Sequence, residues 1–172
     1  MDRHLVELKA RVTSGEEVRR RLESAGAVLE RTIRQKDVYF ENVVGRLKHR
    51  AEVPGQNQLV YYQRPNVKST KESRIRLESI PPGDNLLTHL SNTLGVQTVV
   101  EKTRRVYRWK DTQVHIDLVD GLGEFLEFEH EVMDPAEVGS WHERLMEMFL
   151  ELGGSRADLI EGSYSDMLGA TR

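Results

Sequence analysis

The segment Leu5-Val6-Glu7-Leu8-Lys9-Ala10-Arg11-Val12 decides the fold, because it alternates strictly between two kinds of side chain. Apolar residues occupy the even positions from 6 to 12, and charged residues occupy the odd positions from 7 to 11. A period of two is typical of a β-strand with one apolar and one polar face. The segment therefore predicts a first strand that buries its even face and presents charges on the other.

Length and composition limit the classes of protein that fit. The chain has 172 residues, and we expect residues 1–172 to form a single domain. A formal net charge of -3 does not favour a nucleic-acid partner. The absence of cysteine excludes disulfides and thiolate metal sites and fits a reducing cytosol. No stretch approaches about 18 apolar residues and no apolar leader follows Met1, so we expect a cytoplasmic protein without a membrane partner.

Seven further short segments have the composition and period of strands. They are Lys36–Phe40, Arg46–Glu52, Gln58–Arg64, Ser73–Ser79, Val96–Trp109, Gln113–Val119 and Glu124–Val132. Short connections with turn residues separate many of them, at Asn42/Gly45, Pro54-Gly55, Pro65-Asn66, Lys110-Asp111 and Asp120-Gly121. These segments predict eight strands that are linked mostly by tight turns.

Four helical segments interrupt or follow the strands. Ser14 reads as an N-cap for a helix of about three turns, which ends at Gly26. Asp84 is expected to cap a second helix, which ends at Gly95, and Asp134-Pro135 opens a third. A last helical turn is predicted near Ser163–Leu168.

The order of these elements predicts an α+β fold. Eight strands with tight connections favour closure into an antiparallel β-barrel, because closure removes exposed strand edges. Helices would then pack on the outside of the barrel. The alternative is a strongly curved open sheet with helices on its back.

Charged residues are concentrated on the polar strand faces and sorted by strand. The faces carry Glu7, Lys9 and Arg11; Arg46, Lys48 and Arg50; Arg74, Arg76 and Glu78; Lys102 and Arg104; His115 and Asp117; and Glu127, Glu129 and Glu131. If helices cover the apolar outer faces, these charges line the interior, where they need partners or a ligand. Lys and Arg rows suit a polyphosphate, and carboxylates suit a hard cation. The alternative is an exposed sheet face laced with cross-strand ion pairs.

The same residues resemble the motifs of the CYTH superfamily, the triphosphate tunnel metalloenzymes, over nearly the whole chain. The first strand resembles the family's Glu-x-Glu-x-Lys strand, and later segments follow in the family's order. They are Gln35–Phe40, Arg46–Arg50, Leu59–Pro65, Glu101–Tyr107, His115–Asp117 with Gly121–Glu129, and Ser163–Leu168. The last resembles the Ser-Tyr-x-x-Leu-Leu ending of the class IV adenylyl cyclase-like and thiamine triphosphatase-like branch.

The resemblance implies an eight-stranded tunnel and a divalent-metal-dependent enzyme acting on a triphosphate or nucleoside triphosphate. The reaction would be either hydrolysis or the cyclisation of ATP to cyclic AMP, with Mg²⁺ or Mn²⁺ as cofactor. It implies metal ligation by Glu7, Glu127 and Glu129, with Asp117 close by. It implies phosphate binding by Lys9, Arg46, Lys48, Arg50, Arg64, Lys102 and Arg104, which Arg74 would join. Similar cyclases suggest a homodimer.

One position departs from the family's pattern. The first glutamate of Glu-x-Glu-x-Lys should stand four residues before Lys9, where this chain has Leu5. A non-catalytic sensor of polyphosphates or nucleotides is therefore an alternative to an enzyme, and a structural dimerisation module is a third. Lys9 is a candidate catalytic base if neighbouring cations depress its pKa; the simpler interpretation is a phosphate ligand.

Overall fold

The computed structural model of the chain describes residues 1–41, 44–64 and 66–169. Asn42 and Pro65, at two of the predicted turns, lie outside these ranges. The strands are β1 (Asp2–Val12), β2 (Val28–Phe40), β3 (Arg46–Val53), β4 (Asn57–Gln63), β5 (Lys71–Ile80), β6 (Val96–Trp109), β7 (Thr112–Val119) and β8 (Gly123–Glu131). The helices are α1 (Gly15–Ser24), α2 (Leu86–Leu94), α3 (Val138–Glu151) and α4 (Tyr164–Gly169).

The strands close into a barrel in the order β1-β5-β4-β3-β2-β6-β7-β8. Every pair of neighbours is antiparallel, including β1 with β8, which closes the ring. The predicted α+β fold with an eight-stranded antiparallel barrel is confirmed, and the open sheet is not formed. Closure gives every strand two partners, so the barrel has an enclosed interior.

The strand that differs most from its predicted bounds is β2. It begins at Val28 rather than near Lys36, and it pairs with β6 from Val28 opposite Arg108 to Phe40 opposite Val96. Residues 28–32 are all exposed, so no buried face imposes an apolar alternation there. The long pairing with β6 holds this part of the strand instead.

Two of the three predicted helix caps, Ser14 and Asp134, form as expected, and the third is displaced by one residue. Ser14 Oγ accepts a hydrogen bond from the Glu17 amide at 3.2 Å, and α1 follows. Asp134 Oδ1 accepts from the Ala136 amide at 2.9 Å and opens a 3-10 turn (Pro135–Glu137) that leads into α3. Asn85 occupies the cap position of α2, while the neighbouring Asp84 Oδ1 accepts from the Leu86 amide at 2.6 Å. No helix in the described ranges combines the length and apolar character needed to cross a membrane.

Helices α1 and α3 pack on one side of the barrel, and α4 packs against β6. α1 and α3 pack on β1, β7 and β8, where the even faces of β1 and β8 form a buried apolar core with residues of α3. α4 places Tyr164 against Phe125 at a centroid separation of 4.8 Å, within a second apolar cluster. The apolar faces of β1 and β8 are therefore used outside, which turns their charged faces into the barrel.

Candidate functional site

The barrel encloses a cavity of about 310 Å³. Charged side chains from six strands line it: Glu7 and Lys9; Arg31; Lys48 and Arg50; Lys102 and Arg104; His115; and Glu127 and Glu129. Most of them are deeply buried, with Lys102 only 3% exposed and Glu127 5%. Burial of this many charges in one space requires ion pairing or a charged ligand.

Carboxylates from β1 and β8 share one wall of the cavity. Glu7 stands directly opposite Glu129 in the β1–β8 register, and Lys9 stands opposite Glu127. Glu7 Oε2 accepts hydrogen bonds from Ser73 Oγ at 2.6 Å and from Arg64 Nη1 at 3.1 Å. Lys9 Nζ lies 3.3 Å from Glu127 Oε1, so acid and base alternate along this wall.

A second group of charges spans β2 and β3. Asp37 is 2% exposed and accepts hydrogen bonds from Lys48 Nζ at 2.7 Å and from Arg50 Nε at 2.8 Å. Burial on its own would raise the pKa of Asp37, but Arg50 and Lys48 hold that pKa well below its usual range. The carboxylate therefore stays ionised and fixes two cations in the cavity.

A third group spans β6 and β7. Asp117 is fully buried and receives a bidentate hydrogen bond from Arg104, with both contacts at 2.7 Å. Lys102 Nζ lies 3.4 Å from Asp117 Oδ2, and Arg104 Nη2 also reaches Glu127 Oε2 at 2.5 Å. Burial lowers the pKa of Lys102 to about 7, and neighbouring Arg104 adds to this effect. An anion beside Lys102 would favour its charged form.

Among the described residues, four buried side-chain atoms have no hydrogen-bond partner. They are Arg64 Nε and Nη2, Gln35 Oε1 and His115 Nδ1, and all three residues line the cavity. An unsatisfied buried donor costs about 1–3 kcal/mol. Arg64 thus holds two N–H groups that a ligand oxygen would satisfy.

Two predicted phosphate ligands lie outside this cavity. Arg46 lines a neighbouring pocket, where its guanidinium donates to Asp166 Oδ2 of α4 at 2.7 Å. Arg74 is on the outer face of β5, where its side chain is 81% exposed and lies 3.9 Å from Glu72. The predicted inward face of β5 with Arg74, Arg76 and Glu78 is wrong, because this strand turns Ser73, Ile75 and Leu77 inward instead.

The structure also shows what surrounds the departure at Leu5. Leu5 is 1% exposed and lines the cavity, two residues before Glu7 on the same face of β1. Arg3, one step further, donates to Glu131 Oε2 at 3.0 Å and approaches Glu129 Oε1 at 3.6 Å. Leu5 and Arg3 thus lie beside the acidic wall, which consists of Glu7, Glu127 and Glu129.

The acidic wall suits a hard divalent cation by the kind and position of its donors. Glu7, Glu127 and Glu129 offer carboxylate oxygens from adjoining strands. Within the described ranges, no three His, Cys, Asp or Glu side chains converge as a ready-made ligand set. Mg²⁺ is commonly bound by one or two carboxylates together with substrate phosphates rather than by an all-protein cage. The wall fits that shared mode of binding.

Several residues that shape the cavity were absent from the predicted site. Asp37, Gln35 and Tyr39 follow each other at alternate positions of β2 and all face inward. Their spacing of two residues within the Gln35–Phe40 motif would have placed all three side chains on the same face of the strand. Arg3 continues the inward face of β1 at the parity of Glu7, whereas Tyr164 reaches the cavity from a helix beyond the last strand, where strand parity does not apply.

A closed eight-stranded barrel around paired Lys, Arg, Asp and Glu side chains is the architecture that the resemblance to the CYTH superfamily implies. The chain belongs to the CYTH family, since the model of the CYTH domain matches residues 4–164. The comparisons thereby confirm the resemblance seen in the sequence.

Individual relatives extend along almost the whole chain. A Methanocaldococcus jannaschii protein named as a candidate adenylate cyclase is 26% identical over 171 residues, covering 95% of this chain and 98% of its own. A Vibrio parahaemolyticus structure, also described as a candidate adenylate cyclase, superposes with a TM-score of 0.82 at 21% identity, covering 96% and 98%. A Hippeastrum protein described as having a dominant triphosphatase activity superposes with a TM-score of 0.65 at 15% identity, covering 99% and 96%. These two structural likenesses concern the fold.

Proposed function

We propose that the tunnel binds the triphosphate group of a substrate and that the chain is a divalent-metal-dependent enzyme acting on it. The observation that carries this proposal is Arg64, whose Nε and Nη2 are buried without a partner while Nη1 donates to Glu7. Phosphate oxygens are strong acceptors for a guanidinium and would satisfy both groups. The names of the M. jannaschii and Hippeastrum relatives point to the same class of substrate.

The inward cations would form the phosphate-binding surface. Its proposed members are Lys9, Lys48, Arg50, Arg64, Lys102 and Arg104, with Arg46 at the neighbouring pocket beside α4. Asp37 and Asp117 hold four of these cations in position before a ligand arrives. Phosphoryl transfer depends mainly on such positioning and charge neutralisation, so a preformed cationic surface is the property that the reaction needs.

Glu7, Glu127 and Glu129 would hold Mg²⁺ or Mn²⁺ at the acidic wall, with Asp117 nearby. When bound, the cation neutralises charge on the phosphate oxygens and polarises the phosphorus. Lys9 lies between Glu127 and the ring of Tyr164, whose centroid is 3.9 Å from Nζ. Burial lowers the pKa of Lys9, and Glu127 opposes that effect. We assign Lys9 to the phosphate chain, where it would offset charge on the leaving group; its role as a base is the alternative.

Two reactions are compatible with this surface. In hydrolysis, water attacks the terminal phosphorus, which becomes orthophosphate, and the remaining diphosphate is the leaving group. In cyclisation, the ribose 3′-hydroxyl attacks the α-phosphorus of ATP and pyrophosphate leaves. Both need the cations to orient the phosphate chain, and they differ in which phosphorus lies beside the acidic wall.

A non-catalytic sensor of polyphosphates or nucleotides is the second candidate. The specific observation that favours it is the buried Leu5 at the position of an expected carboxylate. A sensor would retain the cations but bind the metal too weakly for turnover.

An assay panel separates these candidates. Tripolyphosphate, thiamine triphosphate and ATP would each be incubated with Mg²⁺ or Mn²⁺, and phosphate, pyrophosphate and cyclic AMP would be measured. Turnover of any substrate supports the enzyme, and the product identifies the reaction. Binding without turnover supports the sensor. If Lys102→Ala binds all three ligands as tightly as the natural chain, the tunnel is not the binding site.

A further inference from the structure

His115 is the one histidine of the described residues that lines the tunnel. It is 2% exposed and lies on β7, directly opposite Glu127 of β8. On its other side Glu127 stands opposite Lys9 of β1, so one row across three strands holds a lysine, a carboxylate and an imidazole. The imidazole therefore adjoins the acidic wall from the side of β7.

The two ring nitrogens of His115 face different neighbours. Nε2 lies 3.3 Å from Gln113 Oε1, which is an acceptor, so Nε2 carries the ring hydrogen and donates it. Nδ1 then presents a lone pair, and it has no hydrogen-bond partner in the described part of the chain. Histidines that bind metals commonly donate their other N–H group to an oxygen in this way, which fixes the tautomer.

The atom that Nδ1 faces is a carboxylate oxygen. Glu127 Oε2 lies 3.6 Å away, which is too long for a hydrogen bond. A lone pair and a carboxylate oxygen repel each other unless a positive centre lies between them. Two ligand atoms that are each about 2.1 Å from one cation are separated by about 3.0–4.2 Å, for angles of roughly 90–180° at the metal. The separation of Nδ1 and Oε2 falls in this range.

The charges around Glu127 indicate that a cation would arrive together with phosphate. Glu127 already contacts Lys9 at 3.3 Å and Arg104 at 2.5 Å, and both would repel a bare dication. Phosphate oxygens would offset these two positive charges and supply the remaining ligands, as they commonly do for Mg²⁺ in proteins. A pair of protein ligands is then sufficient at this position.

We propose that Nδ1 of His115 is a nitrogen ligand of the metal ion in the tunnel, beside Glu127, and that it makes the site prefer Mn²⁺ to Mg²⁺. This inference rests on the proposed function and deepens it, because it adds a ligand and decides between the two cations. Mg²⁺ is bound through oxygen, whereas first-row transition metals such as Mn²⁺ also bind at mixed nitrogen and oxygen sites. The nitrogen would restore to the ligand set the member that is missing at Leu5.

Electron spin-echo spectroscopy of bound Mn²⁺ tests this inference, because the echo modulation detects nitrogen and phosphorus nuclei close to the metal. The chain is loaded with Mn²⁺ and the methylene-bridged analogue of tripolyphosphate, which contains no nitrogen and resists hydrolysis. A second sample carries ¹⁵N in its histidines only. We expect a phosphorus coupling together with a nitrogen coupling that changes from the ¹⁴N to the ¹⁵N pattern in the labelled sample.

Two variants assign the nitrogen coupling to one residue. His115→Phe removes the ring nitrogens and keeps a planar ring. His49→Phe is the matched control, because His49 is also buried, at 5% exposed, but lies on β3 outside the tunnel lining. We expect only His115→Phe to lose the nitrogen coupling. In calorimetry with the same analogue, its affinity for Mn²⁺ should fall about tenfold while its affinity for Mg²⁺ changes little.

Each other result contradicts a different part of the account. A phosphorus coupling without a histidine nitrogen coupling in the natural chain would overturn the inference and leave the proposed function intact. This spectrum decides the matter even if His115→Phe does not fold. An unchanged ratio of Mn²⁺ to Mg²⁺ affinity in His115→Phe would contradict the metal preference. If bound Mn²⁺ shows neither coupling, or no Mn²⁺ binds, the proposed function is contradicted together with this inference.

Discussion

The hydroxyl of Tyr164 donates a hydrogen bond to Asp117 Oδ2 across 2.8 Å and so attaches the C-terminal helix α4 to a buried carboxylate of β7. Burial raises the pKa of Tyr164 well above its usual value, which keeps the phenol protonated and able to donate. Arg46 adds a second attachment through Asp166 of the same helix. The position of α4 therefore depends on polar contacts with residues that are distant in sequence as well as on the apolar cluster around Phe125.

Replacing Tyr164 with Phe should lower the free energy of unfolding by about 1 kcal/mol, a typical value for one buried hydrogen bond. The ring stays in place, so its packing on Phe125 is retained. Urea unfolding measures the change. Tyr61→Phe is the matched control, because the hydroxyl of Tyr61 accepts a hydrogen bond from Gln63 Nε2 at 2.9 Å in an exposed position. If Tyr164→Phe lowers the free energy of unfolding no more than Tyr61→Phe does, the stabilising role of the Tyr164 hydrogen bond is wrong.

Asp37→Asn should destabilise the chain by about 3–5 kcal/mol at neutral pH, because Lys48 and Arg50 lose the buried carboxylate that pairs with them. The folded-state pKa of Asp37 is depressed, so its contribution is complete above the unfolded-state pKa of about 3.9 and is lost as the pH falls through the folded-state pKa. Urea unfolding at several pH values should show a constant difference in the free energy of unfolding between the natural chain and Asp37→Asn above about pH 4. This difference should become smaller below that pH. A gap that widens in acid would contradict this assignment.

Leu5→Glu should raise the affinity for Mn²⁺ about tenfold, since it adds a carboxylate beside the acidic wall and affinity follows ligand charge. Leu5→Gln is the control, because it has the same shape without the charge. Calorimetric titration of Mn²⁺ in the presence of tripolyphosphate gives the comparison. If both variants bind Mn²⁺ equally, and turnover of tripolyphosphate neither appears nor rises in Leu5→Glu, our interpretation of this position is wrong.

The face of a strand that points into the barrel was predictable from the sequence where a helix covers the outer face. β1 and β8 bury their even faces under α3, and their alternation of apolar and charged residues records that arrangement directly. The motifs shared with the CYTH family added the eight-stranded tunnel and the candidate phosphate-binding and metal-binding residues.

On β5 the alternation of charged and apolar residues was predictable from the sequence, but which face points into the barrel was not. The charged positions 74, 76 and 78 of β5 are exposed to solvent, while Ile75 and Leu77 complete the inside of the tunnel. Charged positions point inward on β1 and β8, where α3 covers the apolar outer faces, and outward on β5. The pairing between acids and bases also depends on closure of the barrel, which joins β1 to β8 across a sequence distance that local pattern does not encode.

Calorimetric titration of Mg²⁺-tripolyphosphate into Arg64→Ala and Arg74→Ala tests most directly whether the inward cations bind a triphosphate. Arg64 is buried in the tunnel with two N–H groups available, whereas the side chain of Arg74 is 81% exposed on the outer face of the neighbouring strand. We expect Arg64→Ala to weaken binding at least tenfold, because charge-assisted hydrogen bonds are lost, and Arg74→Ala to bind like the natural chain. Equal affinities of the two variants would contradict it.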